Sequence, residues 1–161
     1  MEDFQIASDK AKKNIQIADH MLIMTFPLVK DPKLLLAVMK NIFSSLNNSM
    51  SSLLYYERLF KRIPIFQDSF ESKFIVFKNK MVSKHHIDNE YVNLIQEIRE
   101  ILLAHKNSPV EFSRGDRFVI CSDNYRMKTI KVSDLKKYVA KTKLFIIDIN
   151  RLVSKNAGIF K

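Results

Sequence analysis

Glycine is almost missing from this 161-residue chain, with Gly115 and Gly158 the only two. Two isolated glycines exclude a phosphate-cradling Gly-rich loop and a dinucleotide fingerprint, because both need backbone that only glycine supplies. With only four prolines as well, an all-β fold is disfavoured, since it needs a turn residue about every eight to twelve positions. Cys121 is the single cysteine, which excludes an intramolecular disulfide and a cysteine-based zinc site. No apolar run is long enough for a membrane span: the longest, residues 21–29, is about half the required length and contains Pro27. Lys10, Lys12 and Lys13 precede it as they would in a signal peptide, but Asp19 and His20 stand at its start and no small-residue cleavage site follows. That segment reads instead as the buried end of a first helix. What is left is a mainly α, single domain over 1–161, expected in the cytoplasm, able to bury roughly two-thirds of its unfolded surface.

Hydrophobic residues make up 47% of the chain and fall at helical spacing. Phe4, Ala7, Ala11, Ile15, Ala18 and Leu22 lie on one face of a helix over 3–25. Asp31 and Pro32 then open a second helix, over 32–62, which Pro64 ends. Its seam of Leu35, Met39, Ile42, Leu46, Ser49, Leu53, Tyr56 and Phe60 alternates steps of four and three, as bundle helices do. Asn41, Ser45, Asn48 and Ser52 form a second, uncharged polar stripe on it. A solvent face usually carries Lys and Glu, which are better helix formers, so this stripe points to a face covered at a subunit contact or along a ligand cleft, with an ordinary wet face in an Asn- and Ser-rich chain as the alternative. A third helix, over 67–84, carries Phe70, Phe74, Phe77 and Met81. Asp88 caps a fourth, with Tyr91, Leu94, Ile95, Ile98, Ile101 and Leu102 as its stripe, and Ser108-Pro109 ends it. Residues 118–132 change period and read as a hairpin around Asp123-Asn124. Ser133 or Asp134 caps a last helix whose apolar face includes Leu135, Val139, Phe145 and Ile149. The expected fold is therefore an antiparallel bundle of about five helices with a small β-hairpin before the last.

The formal net charge is +10, and its distribution is uneven: residues 1–98 carry +2 and residues 99–161 carry +8. A basic half favours a polyanionic partner through counterion release.

Among the four histidines, His20 reads as a helix-surface or packing residue, and His85 and His86 lie in a loop with no ligand set beyond Asp88. No metal and no cofactor is expected. His105 differs, because it continues the apolar stripe of the fourth helix, and Arg99 borders the same stripe. A cation edging a buried face needs a partner. An internal carboxylate would serve, and so would a phosphate from outside, which arginine grips bidentately.

The run Arg99-Glu100-Ile101-Leu102-Leu103-Ala104-His105 resembles the Arg-x5-His form of the HEPN signature (higher eukaryotes and prokaryotes nucleotide-binding domains). The helical layout and the Ala-rich opening are similar to that family too. Many members carry Asn, Asp or His directly after the arginine, where this chain has Glu100, and the hairpin is an elaboration. The resemblance implies a homodimeric bundle in which Arg and His of both subunits converge. It implies RNA as ligand, metal-independent endoribonuclease activity of toxin or defence type, and an antitoxin as a further protein partner. His105 would be the general acid or base for attack of a ribose 2′-hydroxyl, and Arg99 would hold the scissile phosphate. On an ideal helix residues six apart point about 120° from each other and lie roughly 9 Å apart along the axis. A tight pair therefore needs the arginine side chain to swing round, the helix to fray near Ala104, or a second subunit; the resemblance implies the last, with Asn41, Ser45, Asn48 and Ser52 lining the cleft.

Two other readings stand beside it. Arg114, Arg117, Arg126, Lys128 and Lys131 cluster around Phe112, Phe118 and Tyr125, a basic surface with interleaved aromatics that could hold nucleic acid without reacting. Alternatively, the bundle is a structural protein that pairs with a protein partner.

Overall fold

The computed structural model describes residues 1–108, 110–114, 116–121 and 127–154. The expected turn at Asp123-Asn124, together with Tyr125 and Arg126, lies outside them.

Helix α1 is α-helical over Asp3–His20, passes through a π-helical turn over Met21–Thr25 and finishes as one α turn over Phe26–Val29. Helix α2 (Lys33–Leu59) starts after Asp31, whose carboxylate accepts from the Lys33 amide at 3.0 Å. It ends before the expected 62 because Lys61 turns into the left-handed region (φ 55°) and the Arg62 amide closes back on the Glu57 carbonyl. Helix α3 begins at Phe70, with Ser69 accepting from the Ser72 amide. It is α-helical over Phe70–Val76, π-helical over Phe77–Met81 and α-helical over Val82–His85. Asp88 caps helix α4 (Asn89–Lys106) by accepting from the Glu90 amide at 2.9 Å, as its sequence position predicts. Helix α5 (Val132–Ser154) starts directly from the last strand, one residue before the expected cap.

Helix α2 is the axis of the bundle. Leu35, Met39, Ile42, Leu46, Ser49, Leu53 and Tyr56 of the predicted seam are all buried, and Val38, Met50 and Leu54 on its other sides are buried as well. Helices α1, α3, α4 and α5 all contact it. Helix α5 runs antiparallel to α1, linked by Ser8 to Asn150 and by Lys143 to Asp19, and antiparallel to α4, linked by Tyr91 to Asp148 and by Tyr138 to Glu97.

The sheet is larger than the hairpin expected from sequence. Strands β1 (Val110–Arg114), β2 (Arg117–Cys121) and β3 (Met127–Lys131) form an antiparallel sheet in the order β1-β2-β3. Phe118, Ile120 and Ile130 face the core, so the alternate residues Arg117, Val119, Thr129 and Lys131 share the other face.

The expected burial of residues 21–29 holds only in part. Leu22 and Phe26 are buried, but Ile23, Met24 and Val29 are exposed, and Leu28 is 85% exposed.

Candidate functional site: the motif helix and the basic sheet

The C-terminal half of α4 runs between two layers. Arg99 faces α3 and α2: its guanidinium sits over the rings of Phe70 and Phe43, at 5.0 and 5.7 Å, and pairs with Glu71. His105 faces the sheet. Its Nδ1 lies 2.5 Å from Glu111 Oε1 on β1, and its ring packs edge-on against Phe118 at 6.4 Å between centroids. An ionised carboxylate can only accept, so Nδ1 carries the hydrogen and Nε2 is left for another partner. The side chains are 32% and 26% exposed. Their partners are different residues on different elements, as the divergence of positions six apart on a helix requires. Each of the two side chains has the internal carboxylate that its place beside a buried stripe demands. Glu100, which follows the motif arginine, points to the sheet, with Lys128 Nζ 4.0 Å from its carboxylate.

The sheet carries the most concentrated positive charge. Its register sets Arg114 opposite Arg117 and Arg117 opposite Lys131, so one cross-strand row holds three basic residues. Like charges directly opposite each other destabilise a sheet. Asp116, 3.8 Å from Arg117, is the acidic neighbour of that row among the described residues. From Lys131 the chain enters α5, whose exposed side presents Lys136, Lys137, Lys141 and Lys143. Lys143 is held by Asp19 at 2.9 Å and Arg151 lies 3.7 Å from Asp148, whereas Lys136, Lys137 and Lys141 form no ion pair among the described residues. Arg117 is therefore on an exposed basic surface, whereas Lys128 lies at the edge of the opposite, core-side face, beside Glu100 of α4. Arg114 is placed by strand register, and Arg126 lies outside the described residues.

The uncharged stripe on α2 is covered, but by α1 of the same chain. Ser45 Oγ donates to the Ala11 carbonyl at 2.7 Å, Ser52 Oγ to the Phe4 carbonyl at 2.9 Å, and Asn48 Nδ2 to Asn14 Oδ1 at 2.9 Å. Asn41 Nδ2 donates to the Ala37 carbonyl of its own helix. Ala7, Ala11 and Ala18 lie buried opposite, so small side chains on both helices let the backbones approach and the hydroxyls reach carbonyl oxygens. The expectation of a subunit contact or ligand cleft along this stripe is corrected accordingly: Ser45 and Ser52 are buried in an internal seam. Asn48 is half-buried and borders a polar surface hollow of about 310 Å³. There Tyr55 donates to Asp68 at 2.7 Å, and burial together with that carboxylate pushes its hydroxyl pKa up to about 12.

Sequence reading missed a cluster at the far end of α2. Glu57 is fully buried, and its carboxylate accepts from Arg62 Nε at 2.8 Å, Lys84 Nζ at 2.9 Å and His85 Nε2 at 2.7 Å. Burial works against its charge, but the hydrogen bonds from Lys84, Arg62 and His85 outweigh it and hold the pKa below the usual glutamate value. The cluster ties the end of α2 to the end of α3, and Lys84 and His85 stand 27 and 28 residues from Glu57, beyond the reach of any local pattern. The available signal was Glu57 itself, a lone carboxylate at the end of an apolar stretch.

Among the described residues no group of three or more His, Cys, Asp or Glu is arranged to hold a metal ion, and no helix is long and apolar enough to cross a membrane. Compared with family models, with curated proteins and with solved structures, the chain shows no match.

Proposed function

We propose that this protein binds RNA, or a polyanion of the same charge density, on the basic surface formed by the outer face of the sheet and the exposed side of α5. The observation that carries this reading is the cross-strand row of Arg114, Arg117 and Lys131. A row of like charges costs stability unless something compensates it, and a phosphate chain does so while releasing its counterions. Lys136, Lys137 and Lys141 extend the surface along α5.

The finer reading is a HEPN-like, metal-independent endoribonuclease acting as a homodimer. It draws support from His105, whose ring is held through Nδ1 by Glu111 with Nε2 left for a substrate, the arrangement a general acid or base needs. In this reading Arg99 exchanges Glu71 for the scissile phosphate, and a second copy supplies the convergence that one helix cannot. An antitoxin-like protein partner belongs to the same reading.

Binding of a fluorescent single-stranded RNA by the intact chain tests the first part. Arg117→Glu with Lys131→Glu should lower affinity at least tenfold at low salt and reduce the slope of log K against log salt by about 1.4, at about 0.7 per phosphate contact. Equal binding by that double variant would overturn it. Incubation of RNA with the protein in EDTA tests the second part: cutting that His105→Ala abolishes supports it. Intact RNA leaves a binding protein only, and cutting that survives His105→Ala refutes the assignment of His105.

A further inference from the structure

An apolar groove of about 670 Å³ opens where the end of α1 meets the start of α5. Leu22 and Phe26 form its floor, and Ile23, Pro27 and Val132 its walls. The π-helical turn over Met21–Thr25 contributes Leu22 and Ile23 to it. In such a turn bonding skips to the fifth residue, which widens the helix and re-aims the side chains that follow, and π turns recur at functional sites for this reason. Here Leu22 and Phe26 turn inward while Ile23 and Pro27 stay exposed.

The mouth of the groove is cationic. Lys30 and Lys136 stand at it, both exposed and neither in an ion pair among the described residues. Lys30 takes the left-handed conformation (φ 56°) and its amide donates to the Phe26 carbonyl, which ends the helix and fixes where that lysine leaves it. The third charge at the mouth, Asp116, lies 3.8 Å from Arg117. The groove thus combines an apolar interior with a mouth of two ammonium groups and one carboxylate, net positive, where neither ammonium is in an ion pair among the described residues.

Its volume lies inside the range of small-molecule sites, about 300–1,000 Å³. A nucleic acid does not suit it, because a phosphate backbone needs a track of cations and this groove has two lysines at one mouth beside Asp116. A molecule with one apolar chain and one anionic end suits it at both ends. We propose that the groove binds a free anionic amphiphile, an aliphatic chain ending in a carboxylate, with the chain on Leu22 and Phe26 and the carboxylate between Lys30 and Lys136. This site shares Lys136 with the edge of the RNA-binding surface but does not rest on that reading.

Calorimetric titration of the full chain with octanoate, decanoate and laurate, each below its micelle concentration, tests the proposal. One ligand should bind per chain, with affinity rising about three- to fourfold per added methylene until the groove is filled. Dodecanol should bind at least tenfold more weakly than laurate. Lys30→Glu, and separately Ile23→Asp at an exposed wall position, should each weaken laurate at least tenfold with unchanged thermal melting and RNA affinity. The proposal is overturned by an absence of saturable laurate binding, or by laurate binding that the variants leave unchanged. It is also overturned if the chain takes up anionic vesicles but no monomeric fatty acid, or if it forms a dimer that Ile23→Asp dissolves.

Discussion

Replacing Glu57 by glutamine removes a charge and little else, so it isolates what the buried carboxylate does. Glu57 accepts three charge-assisted hydrogen bonds at 2.7 to 2.9 Å, and bonds of that kind are worth about 1.5–3 kcal/mol each. Their sum is not the expected loss. Arg62 and Lys84 are 38% and 40% exposed, so water re-solvates them once the carboxylate is gone. A glutamine also keeps one acceptor oxygen, while its amide group turns two donors toward three donors. Breaking a buried pair by removing one partner costs about 3–5 kcal/mol, and with two solvated partners the expected value is the lower end, about 3 kcal/mol. For a chain of this size that lowers Tm by roughly 6–12 °C. Urea unfolding should show the midpoint falling with the slope unchanged.

The pH dependence carries a sign. Because the folded state holds the Glu57 pKa below its ordinary value, its stabilisation is complete above the unfolded pKa, near 4.3. It is lost as pH falls through the lower folded value. The stability difference between the original chain and Glu57→Gln should therefore be flat from pH 8 to pH 5 and shrink toward pH 3. A difference below about 0.5 kcal/mol at pH 7, typical of an inconsequential surface change, would refute the reasoning. So would a gap that widens in acid.

Other substitutions probe the rest of the framework. Ala11→Leu, which drives a larger side chain between α1 and α2 where Ser45 meets the Ala11 carbonyl, should cost about 1–3 kcal/mol or more by overpacking, read as a fall in urea midpoint. Asp88→Ala removes the cap of α4 and should cost about 1 kcal/mol, visible in the same assay. Arg99→Ala loses a half-exposed ion pair and two ring contacts, so its folding cost should stay near 1 kcal/mol. If cleavage occurs, the same substitution should abolish it while leaving the urea midpoint almost in place.

The parts of the fold legible in sequence were those governed by local periodicity. The seam from Leu35 to Tyr56 is buried as its spacing requires, and Asp88 caps α4 where a cap was expected. Strand β1 was missed because Val110–Arg114 is short and follows a helix end. Its signal was the Gly115-Asp116 pair between two short runs, a two-residue hairpin pattern. The uncharged stripe on α2 was read correctly as a covered face. What covers it was not legible, since the choice between α1 and a second subunit is a matter of tertiary placement. The Ala7, Ala11 and Ala18 face of α1, small enough to admit close approach, was the complementary clue. Long-range pairing also escaped the sequence at the motif. Arg99 and His105 were expected to need partners, but only the fold brings Glu71 from α3 to one and Glu111 from β1 to the other.

The central claim, that the basic half of this chain is a surface for a phosphate backbone, is tested most directly by the salt dependence of RNA binding. Fluorescence anisotropy with a labelled single strand, repeated across a range of salt concentrations, measures it without any variant. Three contacts from the row of Arg114, Arg117 and Lys131 predict a slope of log K against log salt of about −2, and steeper as the α5 lysines engage. A slope near zero, or no binding at the lowest salt, would contradict it.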